Sequence, residues 1–329
     1  MKKLVSVFIS VLVILSLVAC SGGNASSNES TDKDVYPNKS INLIVSFAAG
    51  GGMDTGARIL APYLEKELGV TVNVVNKPGA GGWVGWAEVA NAEPDGYTIG
   101  YLGTPNFVTG YLDPKVKRDQ SIDSFDLIGK HVQDPGVIAI RTAEDRFSTI
   151  EELMEYAKEN ELTATSTGVG SDDHIATLSI NKKFGTKFTP VHNEGSAKSV
   201  SAALGGHVDV LFGNVGEVTS LQENGEMKVL AVLAEERSPF LPDVPTFSEA
   251  GFEGVTSAPS RGFATPKGMD PEKLETLRVA FEKAITNQEH IDSQADSGLQ
   301  VEYKPADEYK QELKNIEAGL KEISDMLGW

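Results

Sequence analysis

A short apolar strand that runs into three glycines and then a helix constrains the fold of this chain more than any other feature. Residues 41–47 form a β-branched run that predicts a buried strand. Three glycines follow at 50–52, a helical pattern opens at Asp54, and Gly69 ends it. Such a turn leaves backbone N–H groups unpaired at the positive end of a helix, where anions bind. Because glycine has no Cβ, a ligand can approach this backbone closely.

The residues of this turn allow both structural and ligand-binding interpretations. Asp54 suits the N-cap of the helix, and a capping carboxylate can also position a water that bridges to a ligand. The three glycines are compatible with an ordinary turn, but fewer would suffice for one, so we favour close ligand approach. Met53 is interpreted as a core residue or a pocket wall. The predicted chemistry is therefore anion capture by the backbone.

Strands and helices alternate along most of the chain. The patterns predict strands at 41–47, 70–76, 98–102, 162–167, 188–192, 208–212 and 227–233, and helices at 54–68, 83–92, 175–183, 196–204, 271–285 and 307–327. Ser148 and Glu151 form a capping-box pattern that begins a further helix. This order predicts an α/β protein whose ligands lie at the carboxyl ends of its strands.

A second strand-to-helix turn, at residues 167–174, resembles the first in its chemistry. Ser171 is a candidate N-cap whose hydroxyl either caps the helix or reaches a ligand. Asp172 and Asp173 complement the helix dipole but would repel a bare carboxylate, so we do not place them at the site. His174 either contacts the ligand or packs beneath the loop with a local hydrogen bond. Two such turns facing one another would suit a ligand with carboxylates.

The first residues of the chain predict export and lipid anchoring. Lys2 and Lys3 precede an apolar stretch at 4–18 that is too short for a membrane span, which needs about 20 residues. Leu-Val-Ala-Cys then ends at Cys20, the one cysteine of the chain, which cannot form an internal disulfide. We interpret Cys20 as a lipidation site, the alternative being a free thiol beside an uncleaved signal. The Ser/Asn-rich residues after it predict a flexible tether.

Charge and length limit the remaining function classes. Without residues 1–19 the chain has 47 acidic and 27 basic side chains, a net charge near −20. A negative field of this size argues against nucleic acid and against broad adhesion to anionic lipid. A carboxylate ligand must therefore be held by local geometry. About 290 residues remain for the folded part, which predicts two domains.

Catalytic, cofactor and metal motifs are missing from the sequence. It has no G-x-S-x-G elbow, no phosphate loop and no dinucleotide fingerprint. Its five histidines lack zinc-site spacing. We expect no cofactor, no metal and no catalysis. The alternative is an extracytoplasmic α/β hydrolase-like enzyme that uses Ser171, His174 and a nearby aspartate.

Several motifs resemble one known family. They are G-G-x-x-D-x-x-A-R at 50–58, N-K-P-G-A-G-G at 76–82, P-D-G-Y-T at 94–98, T-G-V-G-S-D-D-H at 167–174, E-G-S-A-K-S-V-S-A-A-L-G-G-H-V-D at 194–209 and L-P-D-V-P-T-F-S-E-A-G at 241–251. Together they resemble the solute-binding subunits of tripartite tricarboxylate transporters, the TctC-like or Bug extracytoplasmic receptors. The resemblance runs in order from about residue 40 to 327.

The resemblance implies an α/β, two-domain periplasmic-binding-protein type II fold that closes on its ligand like a flytrap. Extended runs at 137–141 and 262–264 are the candidate crossover hinge strands. The expected division is a signal peptide, a tether, a discontinuous domain 1 and a central domain 2, at residues 1–19, 20–38, 39–138 with 261–329, and 139–260. The implied protein is a monomeric, lipid-anchored receptor outside the cell membrane. It would deliver a di- or tricarboxylate to integral membrane transporter subunits, or alternatively to a membrane sensor.

Single residues complete the predicted site. Thr104 and Asn106 follow a strand and either wall the cleft or form a plain turn, and Asn214 matches a polar family position. Arg261 either pairs bidentately with a carboxylate or neutralises acidic surface. Glu194 departs from the family pattern, and its charge would disfavour citrate. The residues expected at the ligand site are Phe47, Ala49, Gly50, Gly51, Gly52, Met53, Asp54, Thr104, Asn106, Thr167, Gly168, Gly170, Ser171, His174, Gly195, Asn214 and Arg261.

Overall fold

The computed structural model describes residues 35–329, in which strands and helices alternate. The predictions for Cys20 and the signal peptide lie outside these residues. The strands are β1 (Ile41–Val45), β2 (Val72–Asn76), β3 (Thr98–Gly103), β4 (Phe125–Gln133), β5 (Gly136–Arg141), β6 (Leu162–Ser166), β7 (Phe188–His192), β8 (Leu211–Asn214), β9 (Met227–Val232), β10 (Ser260–Pro266) and β11 (Gln300–Pro305).

The helices lie between these strands and after the last one. They are α1 (Gly52–Leu68), α2 (Trp83–Ala90), α3 (Asn106–Leu112), α4 (Ile150–Glu159), α5 (Asp172–Phe184), α6 (Ser196–Leu204), α7 (Val215–Glu223), α8 (Pro271–Ile285), α9 (Gln288–Ala295), α10 (Ala306–Glu322) and α11 (Ser324–Leu327). None of the helices in the described part of the chain has the length and apolar character needed to cross a membrane.

The six-stranded sheet defines what we call the first lobe, residues 37–133 and 260–329. Its strand order is β11-β4-β10-β3-β1-β2. β1 pairs in parallel with β2 and β3, whereas β10 runs antiparallel to β3 and β4. Trp83, Trp86 and Phe107 form the aromatic part of its core, and each is almost completely buried. The indole N–H of Trp86 donates to the carbonyl of Tyr101 at 2.9 Å, which fixes α2 against β3.

The second lobe, residues 136–257, contains the remaining strands. β5 lies between β8 and β9 in an antiparallel sheet, and β6 and β7 form a parallel pair. A bridge between Ala164 and Val210 joins the two groups of strands. Aliphatic side chains from β5, α4 and β6 and phenylalanines from β7 and β8 contribute to its main core, which includes Ile138, Leu153 and Phe212.

The chain passes between the lobes twice. The first passage lies between β4 and β5, where the Asp134 N–H donates to the Pro259 carbonyl at 3.0 Å. The second lies beside it, since the Gly136 N–H still donates to Ser257 while Ser260 already belongs to β10. Residues 137–141 and 262–264, the expected hinge strands, each lie wholly within one sheet. The chain passes from one sheet to the other at about 134–135 and 258–259.

Helix starts differ from the sequence predictions by small but informative amounts. α1 begins at Gly52 with Gly51 as its N-cap, so Asp54 is the third helical residue and not the cap. α4 is capped by Thr149 and not Ser148, because the Thr149 hydroxyl accepts from the Glu152 N–H. Gly69 ends α1 with φ 71°, a left-handed conformation that favours glycine.

Candidate ligand-binding site

A cavity of about 50 Å³ lies where residues of both lobes meet. This volume exceeds the roughly 10–15 Å³ that one water needs. Its walls come from strand ends and from the starts of α1, α5, α6 and α7. They are formed by Phe47, Gly51, Met53, Gly103, Thr104, Asn106, Thr167, Asp172, Ser196, Asn214, Glu217, Pro259 and Arg261.

The glycine turn brings the first lobe against the start of α6. The Gly52 N–H donates to the Ser196 hydroxyl at 3.3 Å. A Cβ at Gly51 would lie 2.7 Å from the same hydroxyl oxygen, so the approach needs a residue without a side chain. Gly51 lines the cavity, and Gly50 and Gly52 line a larger neighbouring cavity of about 430 Å³ instead.

Asp54 holds the turn in shape and does not line the cavity. Its carboxylate accepts from the Gly50 N–H, the Arg58 Nε and the Asn76 Nδ2, each at 2.9 Å. Burial would raise the pKa of Asp54, but these hydrogen bonds outweigh burial and lower it. The carboxylate therefore has partners from its own lobe.

Ser171 and His174 likewise form hydrogen bonds within their own loop. The Ser171 hydroxyl caps α5 by accepting from the His174 backbone N–H at 3.2 Å, which confirms the capping prediction. The His174 ring accepts the Gly170 N–H at its Nδ1, at 3.0 Å. Burial lowers the pKa of His174 to about 4, so the ring is neutral at pH 7. The ring is thus directed at Gly170 and not at the Ser171 hydroxyl.

Arg261 and Asp134 form a buried ion pair beside the cavity. Arg261 is 5% exposed and Asp134 is fully buried. The guanidinium Nη2 donates to Asp134 Oδ2, and the Gly216 N–H donates to Oδ1 at 3.1 Å. Burial would lower the pKa of Arg261, but the charge of Asp134 raises it. Arg261 Nη1 has no hydrogen-bond partner among residues 35–329, although it is buried.

A second buried donor in the cavity wall is also unpaired. Asn106, at the start of α3, is 6% exposed, and its Nδ2 has no partner within the described residues. Buried polar groups are nearly always hydrogen-bonded in native proteins, and an unpaired one costs about 1–3 kcal/mol. Both donors belong to side chains that line the cavity.

The second lobe contributes two carboxyl groups to the wall. Asn214 holds both, since its Nδ2 donates to Asp172 at 2.9 Å and its backbone N–H donates to Glu217 at 3.1 Å. Burial raises the pKa of Asp172. Burial, with a contribution from Asp134, raises the pKa of Glu217 to about 8.

The structure places about half of the expected site residues in the cavity wall. Those that line it are Phe47, Gly51, Met53, Thr104, Asn106, Thr167, Asn214 and Arg261. Those that lie outside its wall are Ala49, Gly50, Gly52, Asp54, Gly168, Gly170, Ser171, His174 and Gly195. Glu194 also lies away from it, because its side chain is 69% exposed and paired with Lys198. The charge of Glu194 is therefore not in the cavity wall and gives no reason to disfavour citrate there.

Five wall residues were absent from the sequence-based set: Gly103, Asp172, Ser196, Glu217 and Pro259. Two of them, Ser196 and Glu217, stand in sequence patterns that could have identified them. Ser196 directly follows Gly195 at the start of a helix. Glu217 stands three residues after Asn214, the spacing of a capping box.

Comparison with known proteins gives a consistent result. The family described as "Tripartite tricarboxylate transporter family receptor" matches residues 56–328. A UPF0065 protein of Cupriavidus necator is 30% identical over 308 residues, 93% of each chain. The structure of the periplasmic binding protein BugD is 29% identical, with a TM-score of 0.83 over 89% of this chain and 99% of BugD. MatC of Rhodopseudomonas palustris with bound malate is 25% identical, with a TM-score of 0.78 over 89% and 100% of the chains.

Proposed function

This chain belongs to the tripartite tricarboxylate transporter receptor family of solute-binding proteins, and on that premise we propose that it captures a small organic carboxylate between its two lobes. It then presents the ligand to the integral membrane subunits of a tripartite transporter, without chemical conversion. The observation that carries this proposal is the pair of buried, unpaired donors in the cavity wall, Arg261 Nη1 and Asn106 Nδ2. A carboxylate oxygen is the acceptor that a guanidinium and an amide both bind well.

The capture mechanism that we propose is closure of two domains. The first lobe supplies Gly51, Asn106 and Arg261 to the cavity, and the second supplies Ser196 and Asn214. A ligand that contacts both sets favours the closed arrangement over an open one. The domains are then residues 37–133 with 260–329 and residues 136–257, and the two adjacent passages act as the hinge.

Retention of the ligand without catalysis fits the loop chemistry of the second lobe. A hydrolase would need the His174 ring to activate the Ser171 hydroxyl. The ring instead accepts from Gly170, and the hydroxyl accepts from a backbone N–H. We propose that the mature protein acts outside the cell membrane as a monomer and is anchored through a lipid on Cys20, which lies outside the described residues.

A thermal-shift screen against a library of carboxylates tests the proposal. At one hundred times its Kd, a ligand of the native state adds about 2.7 kcal/mol, or roughly 5 °C or more in Tm. The matched control is the primary amide of each carboxylate, which should give no shift. NMR of the recovered ligand should find it unchanged. Absence of any stabilising carboxylate would contradict the receptor proposal, and conversion of the ligand would contradict its non-catalytic part.

A further inference from the structure

The charges around the cavity are unevenly distributed between the lobes. The first lobe contributes Arg261, the one cationic side chain among the described residues that line the cavity. Its charge is already matched by Asp134, with which it forms the buried ion pair. The second lobe contributes Asp172 and Glu217, which feel the charge of Arg261 but form no ion pair with it. Acid side chains therefore outnumber cationic ones in the described wall of the cavity.

The donor groups and the acid groups come from opposite lobes. Arg261 Nη1 and Asn106 Nδ2 are unpaired donors of the first lobe, and each side chain is more than nine-tenths buried. A Cβ at Gly52 would lie 3.1 Å from Arg261 Nη1, so the guanidinium lies directly against the start of α1. This half of the cavity suits a carboxylate.

Asp172 and Glu217 form what we call the acid half of the cavity, and Asn214 holds both in place. Its Nδ2 donates to one oxygen of Asp172 at 2.9 Å, and its backbone N–H donates to one oxygen of Glu217 at 3.1 Å. A carboxylate offers about four lone-pair positions, so both groups keep capacity to accept further hydrogen bonds. Because an ammonium group offers three donors and a positive charge, it complements two nearby carboxylates. A second ligand carboxylate in the same place would be accommodated only with both acid groups protonated, because ionised carboxylates there would repel it.

We propose that the ligand is a compact zwitterion, whose carboxylate binds Arg261 and Asn106 and whose ammonium group binds Asp172 and Glu217. This inference rests on the proposed receptor function, and it replaces the expected di- or tricarboxylate by an amino carboxylate. The ligand then has a fixed orientation, with its carboxylate toward the first lobe and its ammonium group toward the second.

The protonation state of Asp172 and Glu217 provides a second, independent observable, which is the release or uptake of protons when the ligand binds. Burial raises the pKa of Asp172 and Glu217, and Asp134 adds to the effect on Glu217. Burial and the neighbouring Asp172 also raise the pKa of Asp173, whereas Arg261 lowers the pKa of Asp172. An ammonium group favours the ionised carboxyls, so binding of a zwitterion releases protons at pH 7. Binding of a dicarboxylate would take protons up.

Calorimetry with matched probe pairs tests the inference directly. The pairs are 4-aminobutyrate with succinate, 5-aminovalerate with glutarate, and alanine with lactate. The zwitterionic member of the best-binding pair should bind at least about tenfold more tightly than its partner. Titrations in two buffers with different ionisation enthalpies should show proton release for that member.

Variants in the acid half should invert the preference. Asp172→Asn with Glu217→Gln removes both charges with little change in shape, so the zwitterion should lose at least about tenfold while the dicarboxylate gains. Glu194→Gln is the matched control, since this exposed acid lies outside the cavity, and it should change neither affinity. Thermal unfolding verifies that each variant is folded, and the proton-release measurement on the unmodified protein needs no variant.

The outcomes separate this inference from the function on which it rests. Tighter binding of the pair member that lacks an ammonium group overturns the zwitterion and leaves the carboxylate receptor standing, and a dicarboxylate member would then bind with proton uptake. An unchanged preference in the double variant also overturns it. If no member of any pair binds and no carboxylate in the library stabilises the protein, both the inference and the receptor proposal fail.

Discussion

Replacing Arg261 by methionine removes one half of the buried ion pair that joins β10 to the passage between the lobes. Asp134, which is fully buried, would then keep only the Gly216 N–H at 3.1 Å as a donor to its carboxylate. Breaking a buried pair by removing one partner typically costs about 3–5 kcal/mol, because an uncompensated charge remains. We expect a loss of this size in the free energy of unfolding at pH 8.

The loss should depend on pH in a defined direction. Burial already raises the pKa of Asp134, and removal of Arg261 takes away the main effect that opposes burial. Asp134 in the folded variant therefore binds its proton more tightly than in the unfolded chain. For a group with a raised folded pKa, the variant keeps its stability below about pH 4 and loses it as the pH rises through the folded value. The slope is at most about 1.4 kcal/mol per pH unit.

Urea unfolding of four proteins at pH 4.5 and pH 8 measures these quantities. Arg261→Met should be destabilised more at pH 8 than at pH 4.5. The double variant Arg261→Met with Asp134→Asn should recover most of the loss, because neither charge of the ion pair remains and the amide oxygen can still accept from Gly216. Arg237→Met is the matched control, since it removes an exposed pair with Glu249 and should cost about 0–1 kcal/mol. A loss below about 1 kcal/mol at pH 8, or a double variant as unstable as the single one, would refute the reasoning.

Two further predictions concern the glycine turn and the membrane anchor. Gly51→Val should lower affinity for any carboxylate ligand at least about a hundredfold, because its Cβ would lie 2.7 Å from the Ser196 hydroxyl, while its φ of −86° permits the side chain without backbone strain. Calorimetry and thermal unfolding check this against Gly319→Val, where open space surrounds the glycine, and normal binding by Gly51→Val would contradict it. Cys20→Ala should release the protein from membranes at high salt, and sedimentation of the variant with the membrane fraction would rule out the lipid anchor.

Local sequence signals predicted those elements whose ends are marked in the chain itself. Helices at 196–204 and 271–285 have the predicted bounds, because Gly195 precedes the first and Asp270 with Pro271 begins the second. β4 was not predicted, since Asp126, Lys130 and His131 interrupt its apolar pattern. Lys130 is nevertheless buried in the sheet, and it pairs with Glu302 and Glu312 from far along the chain. Only the folded arrangement supplies such partners.

The same limit explains which site residues the sequence could identify. The glycine turn and Arg261 can be identified from the sequence, because a triple glycine and a lone arginine stand out from the residues around them. Glu217 and Ser196 are ordinary residues of short helices until the chain folds back and places them opposite Gly51 and Arg261. Asp172 was not expected at the site because its charge would repel a bare carboxylate, but it both begins α5 and lines the cavity.

The unpaired donors connect the chemistry of the cavity to closure of the lobes. Arg261 Nη1 and Asn106 Nδ2 are buried without acceptors among the described residues, which costs about 1–3 kcal/mol for each group. In the closure that we propose, an open arrangement lets water satisfy both donors, and a ligand carboxylate supplies the acceptors when the lobes close around it. Because a ligand shifts a two-state equilibrium by its differential affinity for the two states, occupancy would then favour the closed state that the proposed transporter subunits recognise.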